Sequence, residues 1–255
     1  MAKPQLAKPL DIRMMSGVAM IGFEDAAGVV AAYKYAAQSE ISLQVSPETT
    51  EILDEDTPTA ETLLDIAKSV KRTGSLKIKN VTEEILAAFV LGSASTFSQS
   101  STPVVDEVFT VTKGAHIYLG KSAANPAGAK NVTGVSIIGA TEGTDYILDA
   151  AKGRFFIPLT STMTDGAAAT VDYTPAAETR ERVASGGQSA KTAWLTFESD
   201  NAAGSNMTID VPRVQMIPSG DWNLKDRDNP MNVSFDLKIN TWDGYEQIYI
   251  DGEAA

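Results

Sequence analysis

Residues 233–240 read Val-Ser-Phe-Asp-Leu-Lys-Ile-Asn, so apolar and polar side chains alternate along the whole stretch. Alternation with a period of two places the apolar side chains on one face of a strand and the polar ones on the other. One buried face and one solvated face are typical of an antiparallel sheet. The same pattern occurs at residues 41–45 and 75–79. These stretches therefore predict half-buried β-strands.

Similar short runs continue along the chain and are separated by turn signals such as Asn125-Pro126, Asp165-Gly166 and Asp243-Gly244. We predict further strands at 107–112, 115–119, 132–138, 154–159, 168–174, 193–198, 207–211 and 213–217. The chain is therefore expected to be mainly β. Since no repeat or sharp change of composition marks a boundary, we expect a single domain over residues 1–255. The polar, glycine-containing stretch 174–189 is predicted to be an exposed connector.

One flanking α-helix is predicted near residues 82–91. Thr82 suits the N-cap, and Glu83 and Glu84 fall in the first turn, where the helix dipole favours anions. The following apolar stripe has helical spacing, and Gly92 is placed to end the helix. A second helix is predicted over residues 59–71, where apolar side chains also recur with a helical period.

The composition excludes several kinds of chemistry. The 255 residues carry a formal net charge of -12, which opposes a main role in gripping nucleic acid. Cysteine is absent and His116 is the single histidine, so disulfides, thiolate sites and multi-histidine metal sites are excluded. Gly120-Lys121-Ser122 lacks the glycine spacing and following helix of a phosphate-binding loop. The acidic turn at 221–228 lacks the oxygen spacing of a calcium loop. We therefore predict no catalytic residues, no cofactor and no metal, and a protein that is not an enzyme.

Charge is strongly segregated within one part of the chain. Residues 46–65 contain seven acids and no base, whereas residues 66–80 contain five bases and no acid. A solvated acidic loop next to a wet strand face would explain this pattern. Self-complementarity between copies stacked head to tail would explain it as well.

Four stretches of the sequence are informative in combination. The most telling is the strand, helix and glycine unit Ser75–Gly92. The others are Ile41–Glu51, the closing stretches Leu195–Asn201, Ile209–Val214 and Pro218–Trp222, and a group between Gly143 and Pro175. That group comprises Gly143–Asp149, Gly153–Ile157, Asp165-Gly166 and Val171–Pro175. Together these stretches resemble the major tail tube proteins of bacteriophages with long, non-contractile tails (siphophages).

This resemblance implies a β-sandwich or barrel of the tail-tube type, assembling as stacked, six-membered rings around a hollow lumen. The loop of the family that contacts neighbouring rings would correspond to residues 46–74. Candidate inter-ring residues are Glu48, Glu51, Asp54, Glu55, Asp56, Lys68, Lys71, Arg72, Lys77 and Lys79. The wet-face candidates Glu40, Ser42 and Gln44 would line either the lumen or the exterior.

The resemblance also implies partners and a location. The chain would associate with itself and with tape-measure, tail-tip or baseplate, and tail-terminator proteins. Phage DNA would pass through without stable binding, and no membrane insertion is expected. The protein would be assembled in the bacterial cytoplasm and would end up in the tail of the virion.

Two alternatives remain open at the level of sequence. A secretion-system tube protein would share the ring-forming fold. A tail-associated adhesin or carbohydrate-binding β module is favoured by Trp194, Trp222 and Trp242 and by the acidic turn.

Overall fold

A computed structural model describes residues 13–25, 27–56, 62–187, 189–202 and 204–252. It is mainly β, as predicted, with one α-helix among the described residues. The first eight strands are β1 (Gly17–Phe23), β2 (Lys34–Tyr35), β3 (Ser39–Leu53), β4 (Thr62–Ile78), β5 (Ser93–Gln99), β6 (Val104–Thr110), β7 (His116–Tyr118) and β8 (Val132–Ile137). The others are β9 (Ile147–Asp149), β10 (Arg154–Phe156), β11 (Ala168–Pro175), β12 (Glu178–Ala184), β13 (Lys191–Ser199), β14 (Met207–Ser219), β15 (Val233–Ile239) and β16 (Tyr249–Gly252).

The described chain forms two compact units, where the sequence led us to expect a single domain. Unit 1 comprises the described residues up to Ala94 and from Val183 onward, and unit 2 comprises Ser95–Arg182. The chain passes between the units through β5 and β12, and these two strands pair as a two-stranded sheet. No composition change marks either crossing, so the division was invisible in the sequence.

Unit 1 is built on an eight-stranded sheet with the order β2-β1-β13-β14-β15-β4-β3, and β16 pairs with β14. The alternation at 233–240 is confirmed: Val233, Phe235 and Leu237 are buried in the main core, while Asp236 and Lys238 are exposed. Strands predicted separately at 207–211 and 213–217 form the continuous strand β14.

The predicted helix is confirmed as α1 (Glu83–Phe89). The hydroxyl of Thr82 accepts a hydrogen bond from the amide of Ile85 at 3.4 Å, which caps the amino end. Such a cap contributes about 1 kcal/mol to helix stability. Ile85 and Ala88 join the core of unit 1, so the apolar stripe packs against the sheet.

Unit 2 contains the three-stranded sheets β7-β10-β9 and β6-β11-β8. Its separate core includes the fully buried side chains of Phe155, Ile157 and Val171. Glu178–Ala184 form β12, so the predicted connector at 174–189 is largely strand in its described residues; residue 188 lies outside them.

The largest correction concerns residues 46–74. The predicted loop and the predicted helix at 59–71 are both wrong for the described residues, because β3 and β4 form a long antiparallel hairpin. Residues 57–61 lie outside the described part of the chain. The hairpin register pairs Ser46 with Lys71 and Ile52 with Leu64. Pairing with a neighbouring strand overrides the weak helical period of 59–71.

Candidate self-assembly surface

The β3–β4 hairpin continues beyond the sheet to which it belongs. Strand β15 pairs with β4 only from Thr73 to Ile78. The remaining segments, Val45–Leu53 and Thr62–Arg72, form a two-stranded ribbon without a third strand among the described residues. We call these two segments the arm. Extended strands of this length span about 30 Å.

The arm exposes apolar side chains on both of its faces. Ile52 and Leu64 are cross-strand partners, and Thr50 pairs with Ile66, so Ile52, Leu64 and Ile66 share one face near the tip. The side chains of Leu64 and Ile66 are 54% and 45% exposed. Val45 and Val70 are similarly exposed nearer the body. Grouped, exposed apolar side chains are typical of interaction surfaces.

The change of apolar face along the arm has a local cause. Glu48 on β3 pairs with Ser69 on β4, but the next residue, Thr49, pairs with Ala67, so one residue of β4 is left without a partner on β3. The extra residue on β4, Lys68, is a β-bulge. A bulge exchanges the faces on which successive side chains of the bulged strand lie. The apolar face beyond the bulge is therefore not a continuation of the one before it.

The outer edge of β3 also has no partner strand among the described residues. Strand β3 ends the sheet order and spans 15 residues. A long exposed edge presents a row of free amide and carbonyl groups to any strand from another chain. A two-stranded hairpin alone is only marginally stable in water. Both features favour pairing of the arm with another protein chain.

Several predicted inter-ring charges are engaged by side chains of their own chain. The Nζ of Lys71 lies 2.9 Å from Oε2 of Glu48, and the hydroxyl of Ser69 donates to the same oxygen at 3.1 Å. These contacts lower the pKa of Glu48. Arg72 donates to Oε1 of Gln247, and the hydroxyl of Thr62 donates to Glu51.

The remaining arm charges have no oppositely charged partner among the described residues. Asp54 accepts a hydrogen bond from the amide of Asp56 at 2.9 Å. The side chains of Glu55, Asp56 and Lys68 make no hydrogen bond or ion pair with a described residue. We call Glu51, at the end of the arm, and Asp54, Glu55 and Asp56, which directly follow this end, the acidic tip, since they lack a basic partner in the described chain.

The wet-face candidates lie on the exposed face of β3. Glu40, Ser42 and Gln44 are exposed, whereas the intervening Ile41 packs against the core. Lys79 Nζ lies 3.0 Å from Oε1 of Glu40 and lowers the pKa of that carboxyl.

The face to which Glu40, Ser42 and Gln44 belong continues across three strands. The side chain of Ser42 hydrogen-bonds to that of Ser75 at 2.8 Å. Lys77, Asp236 and Lys238 lie in register on the same face of β4 and β15. Lys77 makes no ion pair with a described residue. The face therefore mixes acids with bases.

An aromatic cluster lies on the polar side of the sheet in unit 1. Tyr245 and Trp242 are 5.5 and 6.0 Å from Trp194, measured between ring centroids, and Tyr33 is 6.4 Å away. Trp222 is separate, packing edge-on against Phe89 at 6.2 Å. The three tryptophans therefore do not form the single platform that the adhesin alternative suggested. Tyr33 gave no signal in the sequence because its neighbours are distant along the chain.

The acidic turn at 221–228 is internally bonded. Asp226 accepts hydrogen bonds from the amides of Asp228 and Asn229 and from the Asn229 side chain. Within the described ranges, no group of acids and histidine has the arrangement of a metal site. Among the described residues, no helix has the length and apolar character needed to span a membrane.

The exposed apolar residues of the arm are the feature that sequence reasoning missed. Leu64, Ile66 and Val70 recur at even spacing, which is a strand signal, but the same segment also has the helical period on which the helix at 59–71 is predicted. The exposed bulge residue Lys68 lies between Ile66 and Val70 and interrupts the apolar alternation, so the strand pattern is incomplete in the sequence.

Comparison with known proteins places the chain in one family. Residues 14–239 match a family model described as "Protein of unknown function UCP028589", and the chain belongs to that family. The matched range includes the arm, both units and most of the eight-stranded sheet. No curated protein matches the chain.

Proposed function

We propose that this protein is a structural subunit that self-assembles into stacked rings, forming the hollow tail tube of a long-tailed bacteriophage. The rings are expected to be hexameric, and the tube to conduct the phage DNA at ejection. Tape-measure, tail-tip and tail-terminator proteins are its proposed partners, and the virion tail its location. The phage identity rests on the sequence resemblance, and the proposal of self-assembly rests also on the arm.

The single observation that carries self-assembly is the exposed arm. It combines a free strand edge with apolar side chains on both faces, and no described part of its own chain covers them. Burying apolar surface stabilises an assembly by about 25 cal/mol per Å². If the arm remained solvated, its apolar side chains would contribute nothing to stability, and its strand edge would be prone to aggregation.

The mixed charge of the wet face suits a conduit. A surface that binds DNA through phosphate contacts needs uncompensated Lys and Arg side chains. On this face Lys79 is paired with Glu40, Lys238 alternates with Asp236, and Lys77 has no ion pair among the described residues, so the bases are compensated in part. A lumen with such a lining would let DNA pass without strong retention.

Negative-stain electron microscopy of the purified protein over a range of concentrations tests the proposal. Hollow tubes with a regular ring repeat are expected, either spontaneously or after addition of a tail-tip fraction. Only compact particles under both conditions would contradict it.

The aromatic cluster supports carbohydrate binding as a second candidate function. Tyr33 and Tyr245 are 45% and 47% exposed beside Trp194. Asp210 accepts hydrogen bonds from Trp194 Nε1 at 3.2 Å and from the Thr196 hydroxyl at 2.6 Å, which places a polar group beside the rings. A glycan array probed with the parent and with Tyr245→Ala would test this candidate. Binding by a stable monomer, lost in the variant, would favour it over the tube.

A further inference from the structure

A group of basic side chains surrounds Tyr118 on the outer face of the β7-β10-β9 sheet in unit 2. Arg154 donates from Nη1 to the Tyr118 hydroxyl at 3.0 Å, and Lys121 Nζ lies 4.7 Å from the ring centroid. Lys130 Nζ donates to the carbonyl oxygen of Lys152 at 3.1 Å. We call Lys121, Lys130, Lys152 and Arg154 the basic cluster.

Carboxylates compensate this cluster only in part. Asp149 accepts from Arg154 Nε at 3.1 Å and lies 3.9 Å from Lys152 Nζ. Lys121 and Lys130 have no carboxylate partner among the described residues. The hydrogen bond from Arg154, together with its charge and those of Lys121 and Lys130, lowers the pKa of Tyr118.

Glu107, a further carboxylate of unit 2, forms no ion pair with the basic cluster among the described residues. Glu107 accepts hydrogen bonds from the amide of Gly120 at 3.0 Å and from the hydroxyl of Tyr173. The cluster therefore presents excess positive charge on a protein whose net charge is -12.

The acidic tip of the arm has the opposite imbalance. None of its four carboxylates has a basic partner in the described chain, while the arm bases Lys71 and Arg72 are engaged with Glu48 and Gln247. The acidic tip and the basic cluster are thus two exposed, complementary surfaces of the same polypeptide. Complementary charges of this kind set register and association rate between chains.

We propose that the basic cluster of one copy receives the acidic tip of a second copy of this chain. This inference rests on the proposed self-assembly and specifies a contact within it. The large negative net charge opposes an extended polyanion such as nucleic acid or an acidic polysaccharide, because such a polymer would be repelled by the rest of the surface. A second copy brings its compensating charge on a narrow, protruding arm.

Charge exchange tests the contact in the full-length chain. Lys121→Glu with Lys152→Glu should slow assembly by about tenfold, as should Glu55→Lys with Asp56→Lys. Combining all four substitutions should restore assembly toward the parent rate, because the attraction is re-formed with reversed signs. Lys225→Glu with Arg227→Glu is the matched control, since it changes the net charge equally at two exposed bases outside the cluster. Light scattering gives the rates, and circular dichroism checks that each variant is folded.

Crosslinking between copies gives a second readout. Since the chain has no cysteine, Lys121→Cys and Asp56→Cys chains can be prepared separately, mixed and treated with a short bismaleimide. A crosslink joining positions 121 and 56 is expected, and Lys225→Cys in place of Lys121→Cys should give much less product.

The outcomes separate this inference from the proposed function. Tubes that form normally from Lys121→Glu/Lys152→Glu, or no rescue in the fourfold variant, would overturn the contact and leave the tube intact. Loss of retention on a heparin column by that variant, with assembly unchanged, would show that the cluster takes a polyanion instead. A parent chain that never assembles, even with a tail-tip fraction, would overturn both proposals.

Discussion

The Nζ of Lys71 lies 2.9 Å from Oε2 of Glu48 across the β3–β4 hairpin. These residues belong to the acidic and basic segments that the sequence analysis matched between copies. The hairpin brings them together within one chain, and similarly Glu40 meets Lys79. Charge segregation along the sequence therefore serves partly to fix the hairpin register. Of the predicted inter-ring charges, the acids toward the tip, Lys68 and Lys77 remain without an ion pair in the described chain.

The difference between Glu48, which is paired with Lys71, and the acidic tip, which has no basic partner in the described chain, predicts different effects of substitution on assembly. Reversing the charges of Glu51, Asp54 and Asp56 to Lys should slow assembly and leave the fold intact, because these side chains have no basic partner in the described chain. Glu48→Gln should leave the assembly rate unchanged, since its partner is Lys71 of its own hairpin. Light scattering on the two variants makes the comparison. Equal assembly rates for the triple variant and the parent would contradict the electrostatic part of the interpretation.

The apolar face near the arm tip predicts a loss of assembly without a loss of stability. Leu64→Ser with Ile66→Ser should change the free energy of unfolding by no more than about 1 kcal/mol, because each substitution of an exposed side chain contributes about 0.5 kcal/mol at most. The same variant should form few or no tubes, since the surface that a partner covers has become polar. Sedimentation measures assembly, and urea denaturation measures stability. Ile250→Ser, which alters an exposed side chain on β16, is the control expected to assemble like the parent.

Asp145 predicts a pH dependence of the stability of unit 2. Its buried carboxylate accepts hydrogen bonds from the amides of Thr141 and Thr162 at 2.9 and 2.8 Å, and from the Thr162 hydroxyl at 2.7 Å. The Thr162 hydroxyl and these amides lower the pKa of Asp145 to about 2. A depressed pKa stabilises the fold above the ordinary pKa of 3.8, and this contribution is lost as the pH falls from about 4 to 2.

The variant Asp145→Asn should remove that pH-dependent contribution, because an amide cannot carry the charge that these donors stabilise. Its urea midpoint at neutral pH should fall below that of the parent, and the difference should shrink as the pH approaches 2. Glu142→Gln, on the same loop but exposed, should follow the parent. A neutral-pH midpoint for Asp145→Asn equal to that of the parent would show that the hydrogen bonds do not contribute to stability.

Gly92 predicts a steric requirement at the end of α1. Its amide donates to the carbonyl oxygen of Ala87 at 2.8 Å, while the left-handed conformation that ends the helix is adopted by Leu91 (φ 52°) rather than by Gly92. A Cβ at this position would overlap the backbone carbonyl of Ala184 on β12. Gly92→Ala should therefore destabilise the protein by about 1–3 kcal/mol, the usual cost of overpacking. Urea denaturation measures the change, and stability equal to that of the parent would show that β12 moves aside freely.

The local signals of the sequence predicted most of the secondary structure. The alternation at 233–240 and the cap at Thr82 gave the correct element types, because both depend on neighbours within a few residues. The predicted wet face of Glu40, Ser42 and Gln44 also follows from the period of one strand. The helix prediction was wrong for residues 62–71 because the segment has both a helical and a strand period, and pairing with β3 decides between them.

The sequence by itself determined the mainly β character, the position of α1 and the segregation of charge around the arm. Each of these properties is carried by residues close together along the chain. The tertiary structure decided which acids are neutralised, where the two units divide and which apolar side chains remain uncovered. Those properties depend on pairing between distant strands: Glu48 meets Lys71 only through the hairpin register, and the arm is exposed only because β15 stops pairing with β4 at Thr73.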